Sequence, residues 1–564
     1  MPAYASLRRG KPAKSCLGCV SIMNVEQFIN KAQCSRGEMD ITNAFEAFVP
    51  GSSPGGSTIL IMNLKTKIPP EISAISNKLS EAGYEAYLVG GCTRDLIIGR
   101  KPKDWDITTN AKPEQIVEVF GSDETFYEND FGTVTVKCED ATDPTYRNVE
   151  ITPYRREGKY SDKRRPDSVE FSDKLEDDLL RRDFTINAIA YDPIKDNLVD
   201  PYQGQDDIKD KLVRAVGNPI DRFEEDTLRL IRAVRIATEL DFAIESATAS
   251  AILAISPALG GIAKERIQTE FTRIIMSDRP LVGIVMCQRL GLLAHIMPEL
   301  MDGIDCGQNG DHIYDVWEHN LRAVQHSADR AWPLNVRLGA LLHDVGKPAT
   351  RRHSDEKNDW TFYGHDVVGS RMAKRMLEKL KYSNEIVEKV EKLVRRHLFF
   401  SDIDKITLSA VRRIVSNVGH DLVWDLMNVR ACDRIGMGRP KEKPYRLRKY
   451  ESMVEEASRS PVSVQMLKID GNRIMEIGKE AGLSHAEASR AKAGPWIGWI
   501  LHALLEEVLD DPSLNTPEFL ESEAKKLASL PDPELKALGQ AGKEARDEVE
   551  QSELTTIRNK YGVK

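Results

Sequence analysis

From Ile68 onward the chain shows two periodicities in turn. The stretch "PPEISAISNKLSEAG" spaces its apolar residues three and four apart between a starting proline and a closing glycine, and predicts a helix. The apolar run "AYLVGG" follows and predicts a strand; "DWDITT", "GTVTVKC" and "NVEITPY", where β-branched residues alternate with polar ones, predict three more. After about residue 205 the strand signal gives way to helical spacing, as in "DTLRLIRAVRIATELDF" and "VVGSRMAKRMLEKLKY", and the remainder is expected to be almost wholly helical. From about residue 441 the chain is rich in Glu, Lys, Ala and Leu, with a breaker at "KAGPW" before the helical "IGWILHALLEEVLDD". The fold class is therefore α+β: a first unit with a small mixed sheet, then helical units. No internal repeat is visible.

Residues 1–61 differ from all of this. They lack sustained periodicity and contain "VPGSSPGGST", which breaks helix and strand alike, so they are expected to form a disordered or dispensable leader with the native start at Met62. Beyond it the pattern divides into 62–204, 205–300, 301–440 and 441–564. At 564 residues and 41% hydrophobic content the chain is too long for one core and has enough apolar material for several.

Composition narrows the classes. No run approaches the ~20 apolar residues of a membrane span, and the first residues do not read as a signal peptide, so a cytoplasmic protein without membrane partners is expected. The eight cysteines are scattered, and Cys16 and Cys19 have no second pair to complete a zinc site, which favours reduced thiols. The net charge of -9 argues against a uniformly basic nucleic-acid binder and leaves room for a local basic face.

The first candidate chemistry lies in "YLVGGCTRDLIIGRKPKDWDITT". Asp104 and Asp106 at i and i+2 on a strand would project to one face and share a divalent cation, with Mg2+ the natural occupant beside phosphate oxygens. Gly90 and Gly91 let backbone NH groups approach a triphosphate where a helix opens, and Arg94 sits one turn in. Glu150, in "VEITPY", offers a third carboxylate from an adjacent strand. Gly-Gly after a strand and Asp-x-Asp in a solvated turn are each common. Their order here, strand, Gly-Gly, helix, then Asp-Trp-Asp, resembles the nucleotidyltransferase superfamily, which implies a polymerase-β-like head using these acids in catalysis.

Three later stretches, "RRDFTINAIAYDP" (181–193), "DPYQGQDDI" (200–208) and "EEDTLRLIRAVR" (224–235), resemble successive motifs of the class II tRNA nucleotidyltransferases, the CCA-adding enzymes, and the bacterial poly(A) polymerases. On a helix, Asp226 and Arg229 would share a face that Arg232 and Arg235 continue, while Leu228, Ile231, Val234 and Ile236 pack inward. A solvated face is the ordinary reading of such a stripe. The resemblance implies instead that Asp226 and Arg229 hydrogen-bond the base edge of the incoming nucleotide, that Arg182 meets its sugar or triphosphate, and that Asp183 belongs to the same pocket. The loop "YRREGKYSDKRRPDSVEF" (154–171) matches the flexible loop associated with addition of the terminal A. A departure stands at Gln203, which occupies the first position of a usual Gly-Gly and is expected to stiffen a hinge.

A second constellation follows. His319, the adjacent His343 and Asp344, His365, His397 and Asp433 include a bridging carboxylate between imidazoles, a set suited to one or two transition metals. Over roughly 310–440 this resembles the HD phosphohydrolases. The resemblance implies Ni, Mn or Co held by His319, His343, Asp344 and Asp433, with His365 and His397 serving a second metal. The tail resembles the arm that contacts the tRNA elbow in longer family members.

The expected activity is addition of C, C and A to a tRNA 3' end from CTP and ATP, with pyrophosphate released and no DNA partner. An A-only adding enzyme and a poly(A) polymerase are the rivals within the class. An RNA-docking regulatory protein, whose HD hydrolase senses a small phosphorylated ligand, is the rival outside it.

Overall fold

The computed structural model describes residues 64–127, 132–138, 141, 143–158, 168–310, 312–398, 406–480 and 494–539. The leader, the middle of the 154–171 loop and the "KA" of the tail breaker lie outside the described residues.

The first unit opens with α1 (Pro70–Glu81), started by proline as expected. Strand β1 (Tyr87–Val89) leads through Gly90 into α2 (Gly91–Ile98), and β2 (Asp106–Thr109) into α3 (Pro113–Phe120). Then come β3 (Thr125–Tyr127), β4 (Val134–Lys137), β5 (Asn148–Pro153), the hairpin β6 (Arg155–Glu157) and β7 (Val169–Phe171), α4 (Leu175–Leu180), β8 (Ala190–Asp192), β9 (Asn197–Val199) and α5 (Gly204–Lys209). Seven strands pair in the order β3-β4-β5-β2-β1-β8-β9, with only β2 and β5 parallel. Helices α1, α2 and α3 cover this sheet with Ile72, Leu79, Leu96 and Ile116, which pack onto Leu88, Ile107 and Ile151. Burial of these side chains contributes about 1.5–3 kcal/mol each and fixes which strand face remains for chemistry.

Strand β8 lies inside the "RRDFTINAIAYDP" motif, a place where no strand was expected. All three of its residues are buried, so the alternation that marks a half-exposed strand is missing.

The helical half begins with β10 (Leu212–Val213), α6 (Pro219–Glu225), α7 (Arg229–Leu240), β11 (Ala243–Ile244), α8 (Ser246–Ile255), α9 (Lys264–Met276) and α10 (Pro280–Arg289). The expectation of almost no strand here holds apart from two small sheets. Strands β10 and β11 pair in parallel over two residues, and β12 (Arg352–Ser354) pairs with β13 (Asp359–Thr361). Helices α11 (Val316–Asp329), α12 (Leu334–Leu342), α13 (His365–Lys379), α14 (Asn384–Arg396), α15 (Leu408–Val418) and α16 (Leu422–Gly436) follow, with His319 on α11, His365 on α13, His343 and His397 at the ends of α12 and α14, and Asp433 on α16. The tail adds α17 (Tyr445–Ser458), α18 (Gly471–Glu480), α19 (Pro495–Asp510) and α20 (Pro517–Ala528). One continuous apolar core runs from Val336 and Leu393 through Tyr450 and Ile500 to Leu535, so the tail packs on the preceding helices across the expected break at 440. No helix among the described residues is long and apolar enough to cross a membrane.

The "DPYQGQDDI" turn divides its demands between two positions. Gln203 has φ 59° and ψ 33°, the left-handed region that costs a side-chain-bearing residue about 1–2 kcal/mol. Gly204 meets a harder limit: a Cβ there would come 2.3 Å from the Thr185 carbonyl oxygen. The departure from Gly-Gly therefore falls at the position where a side chain fits at a backbone cost. The position with no room keeps its glycine.

Candidate active site and metal centre

Strand β2 begins at Asp106, and Asp104 stands in the bend before it rather than on the strand as expected. The reason for the shared face survives, because the intervening Trp105 is 2% exposed and points into the core. Glu150 pairs in register with Asp106 across the parallel β2–β5 ladder, so the third carboxylate stands beside the first two. Burial pushes Asp106 up to about 6, with Glu150 and Asp104 adding to it and Arg182 opposing. Three acids gathered with one of them reluctant to ionise form a site whose charge a divalent cation would relieve.

Gly90 connects the acids to the arginines. Its φ of 74° with ψ of -137° is a conformation open to glycine, and a Cβ there would come 3.2 Å from Asp106 Oδ2 and 3.1 Å from Arg182 Nη1. Gly90, Asp106 and Arg182 thus converge at the N-terminus of α2, where unpaired NH groups favour an anion. Gly91 lies beside Arg94, whose guanidinium donates to Asn187 and Asp95. Arg182 in turn donates to the buried Asp178 at 3.0 Å, which anchors the guanidinium.

A cavity of about 270 Å³ continues from Arg182 and is lined by Arg181, Asp183, Asp226, Leu228, Arg229, Arg232 and Arg266. Asp226 is not on the helix with Arg229 as expected. It follows α6 in an extended conformation (φ -131°, ψ 102°), and its Oδ1 accepts from Leu228 N at 3.0 Å, ordering the turn from which α7 starts. Arg229 opens α7, with Nη1 donating to Arg222 O and Glu225 and Nη2 to Arg181 O. Leu228, Ile231, Val234 and Ile236 are buried as the pattern requires.

Asp183 acts as a bracket in this pocket. Burial would raise its carboxyl, but Arg232 and the Asn187 amide hold it well below the ordinary range. Arg235, expected to continue the arginine stripe, does not line the cavity. It is 5% exposed, its Nε is 2.5 Å from Glu270 Oε2, and it also pairs with Glu239. The sequence reading missed Arg266, which lines the cavity and meets Asp226 Oδ2 at 3.0 Å. Forty residues separate that pair, and no local spacing carries the signal.

The six predicted histidines and aspartates also come together. His319, His343, Asp344 and Asp433 place one donor atom each within 4.8 Å of one another, as do Asp344, His365 and His397. All are buried. Nδ1 of His343, His365 and His397 donates to the carbonyls of Ala340, Phe362 and Val394, each three residues earlier. Since a carbonyl only accepts, the proton sits on Nδ1, and in the neutral ring Nε2 presents a lone pair. His365 and His397 face each other through Nε2 at 3.3 Å, and His319 and His343 at 2.8 Å. The opposed Nε2 lone pairs of His365 and His397 repel unless a cation lies between them, so this donor set fits metal ions. For His343, burial works against the charged ring, yet Asp344 and Asp433 outweigh it and raise its pKa.

Two cations here were not singled out from the sequence. Lys347 Nζ is 2.6 Å from Asp344 Oδ2. Arg430 pairs with Asp433. Each lies three residues from its acid on a helical turn, a spacing that could have found them.

Comparison with known proteins places this geometry in a class. Residues 86–214 match the model of the poly A polymerase head domain, 241–304 that of the probable RNA and SrmB-binding site of polymerase A, and 316–427 that of the HD domain. The head has the nucleotidyltransferase fold. A CCA-adding enzyme of Streptococcus pyogenes serotype M5 is 34% identical over 360 residues, covering 62% of this chain and 84% of the relative. One from Ligilactobacillus salivarius is 44% identical over 211 residues, 37% of this chain, and the match spans half the relative's length. The chain belongs to the CCA-adding enzyme family. Among solved structures, the Bacillus stearothermophilus CCA-adding enzyme in complex with CTP aligns with a TM-score of 0.59 and 25% identity, over 81% of this chain and 98% of that one. The apo form II of a CCA-adding enzyme shares the fold at a TM-score of 0.51 and 19% identity, over 83% and 98%.

Proposed function

We propose that the protein adds C, C and A to the 3' end of tRNA from CTP and ATP, releasing pyrophosphate. The observation that carries this is the joining of two halves of a site: Gly90, Asp106, Glu150 and Arg182 around the central strands of the sheet, and Asp226 and Arg229 in the adjoining cavity. Mg2+ held by Asp104 and Asp106 would neutralise triphosphate charge and activate the attacking hydroxyl. The chain itself supplies placement. Asp226 accepts from the exocyclic amine of cytosine or adenine, Arg229 donates to the neighbouring ring nitrogen, and Arg182 with the NH groups after Gly90 holds the phosphates. The tRNA 3' oxygen then forms its bond to the α-phosphorus as the bond to pyrophosphate breaks.

The six-residue histidine and aspartate centre is a phosphohydrolase site in this reading. A divalent transition metal, Ni, Mn or Co, would supply Lewis-acid polarisation there. In this proposal residues 62–204 are the head, 205–300 the base-reading neck, 301–440 the HD unit and 441–564 the RNA-binding tail, in a cytoplasmic enzyme.

The test uses tRNAs ending before CCA, after C and after CC, plus an oligo(A) RNA, with the 3' ends sequenced. Growth of all three tRNAs to CCA and no further is expected. Extension only of the tRNA ending in CC would make the protein an A-adding enzyme, and long tails on oligo(A) a poly(A) polymerase.

A further inference from the structure

We propose that Arg266 is a specificity-determining residue of the nucleotide cavity, holding the Asp226 carboxylate in its base-reading orientation; this rests on the CCA-adding reading above. Asp226 belongs to no helix, and among the described residues its carboxylate is placed by two hydrogen bonds: Leu228 N on Oδ1 and Arg266 Nη2 on Oδ2, both at 3.0 Å. Arg229 is held separately, by Arg222 O, Glu225 and Arg181 O. The donor and the acceptor of the base reader are therefore anchored by different parts of the chain. Arg266 comes from α9, and one turn along the same helix Glu270 meets Arg232 and Arg235. Helix α9 thus presents one polar face to the residues that line or support the cavity.

The chemistry of the bases says what that anchor does. Cytosine and adenine each offer an amine donor beside a ring-nitrogen acceptor, whereas uracil and guanine offer a carbonyl oxygen beside a ring NH. A fixed carboxylate facing the first position accepts from the amine and repels the carbonyl oxygen, and sites built to pair one polar pattern reject its reverse strongly. A carboxylate free to swing away gives up both the attraction and the rejection. An ion pair that merely staples α9 to the end of α6 would do neither.

The experiment is single-nucleotide addition by the full chain to tRNA lacking CCA, with CTP, ATP, UTP and GTP in turn, for wild type, Arg266→Gln and Arg266→Lys. Thermal melting is recorded for each. Arg266→Gln is expected to raise KM for CTP and ATP about 10-fold with kcat within about 3-fold, and to raise incorporation of UTP relative to CTP about 10-fold. Arg266→Lys, which keeps the charge and one donor, should recover part of both. Unchanged KM and selection in Arg266→Gln would overturn the proposal, as would an equal loss with all four nucleotides accompanied by a lowered melting temperature. If wild type itself adds neither C nor A, the CCA-adding reading fails first, which separates the two failures.

Discussion

His365 Nε2 stands 3.2 Å from Asp344 Oδ1, while His319 Nε2 stands 3.1 Å from the other oxygen, Oδ2. One carboxylate therefore faces two sets of imidazoles, and its loss removes the shared wall between them. Asp344→Ala is expected to release bound transition metal, read by elemental analysis of the purified protein. Hydrolysis of a phosphodiester such as bis(p-nitrophenyl) phosphate should fall more than about 100-fold. Nucleotide addition should be spared.

Asp106 and Glu150 lie in register on β2 and β5, with Asp104 just before. Asp106→Asn and Asp104→Ala are each expected to lower C and A addition by more than about 1,000-fold, because electrostatic stabilisation of the transferring group is lost. Phosphodiester hydrolysis in the same preparations should stay within about twofold of wild type. Loss of both activities in a well-folded single variant would contradict two separate sites.

Arg235 and Glu270 form an ion pair with side chains 6% and 8% exposed. Among the described residues Arg235→Leu leaves Glu270 with Arg232 alone, at 3.5 Å, and should cost about 3–5 kcal/mol in urea unfolding. KM for CTP should not move, since Arg235 does not line the cavity. Arg235→Leu combined with Glu270→Leu should recover much of the lost stability. A selective rise in KM with unchanged stability would return Arg235 to the nucleotide site.

The absence of a Cβ at Gly204 allows α5 to start against the Thr185 carbonyl. Gly204→Ala is expected to destabilise the protein by about 1–3 kcal/mol. Gln203→Asn places a residue more tolerant of the left-handed region next to it, and should be neutral or stabilising by a few tenths of a kcal/mol up to about 1. Denaturant midpoints of the two variants check both directions.

Burial pushes the thiols of Cys92 and Cys287 up to about 12. At pH 8 both should therefore remain unmodified by iodoacetamide in the native protein and react once urea unfolds it, as read by mass spectrometry of the peptides. Rapid native labelling of either would show that its surroundings open.

Several features could be read from the chain alone because their cause is local. Apolar spacing placed α1, β1 and β2, the Gly-Gly pair marked the turn into α2, and the order of acids and glycines pointed to nucleotidyl transfer. The histidines could be named as a set because His343 and Asp344 are adjacent and cannot both be core residues cheaply. Other features depend on residues far apart in sequence. Asp104 stands before the strand because β2 starts where its partners β1 and β5 begin to pair. Arg235 turns to Glu270, and Arg266 to Asp226, through contacts between α9 and residues 35 and 40 positions earlier. Helical spacing determined that the arginines could share a face. Only the packing of α9 against α7 decided which of them meet the cavity and which are neutralised by an acid, because a buried guanidinium takes whatever carboxylate the neighbouring helix supplies.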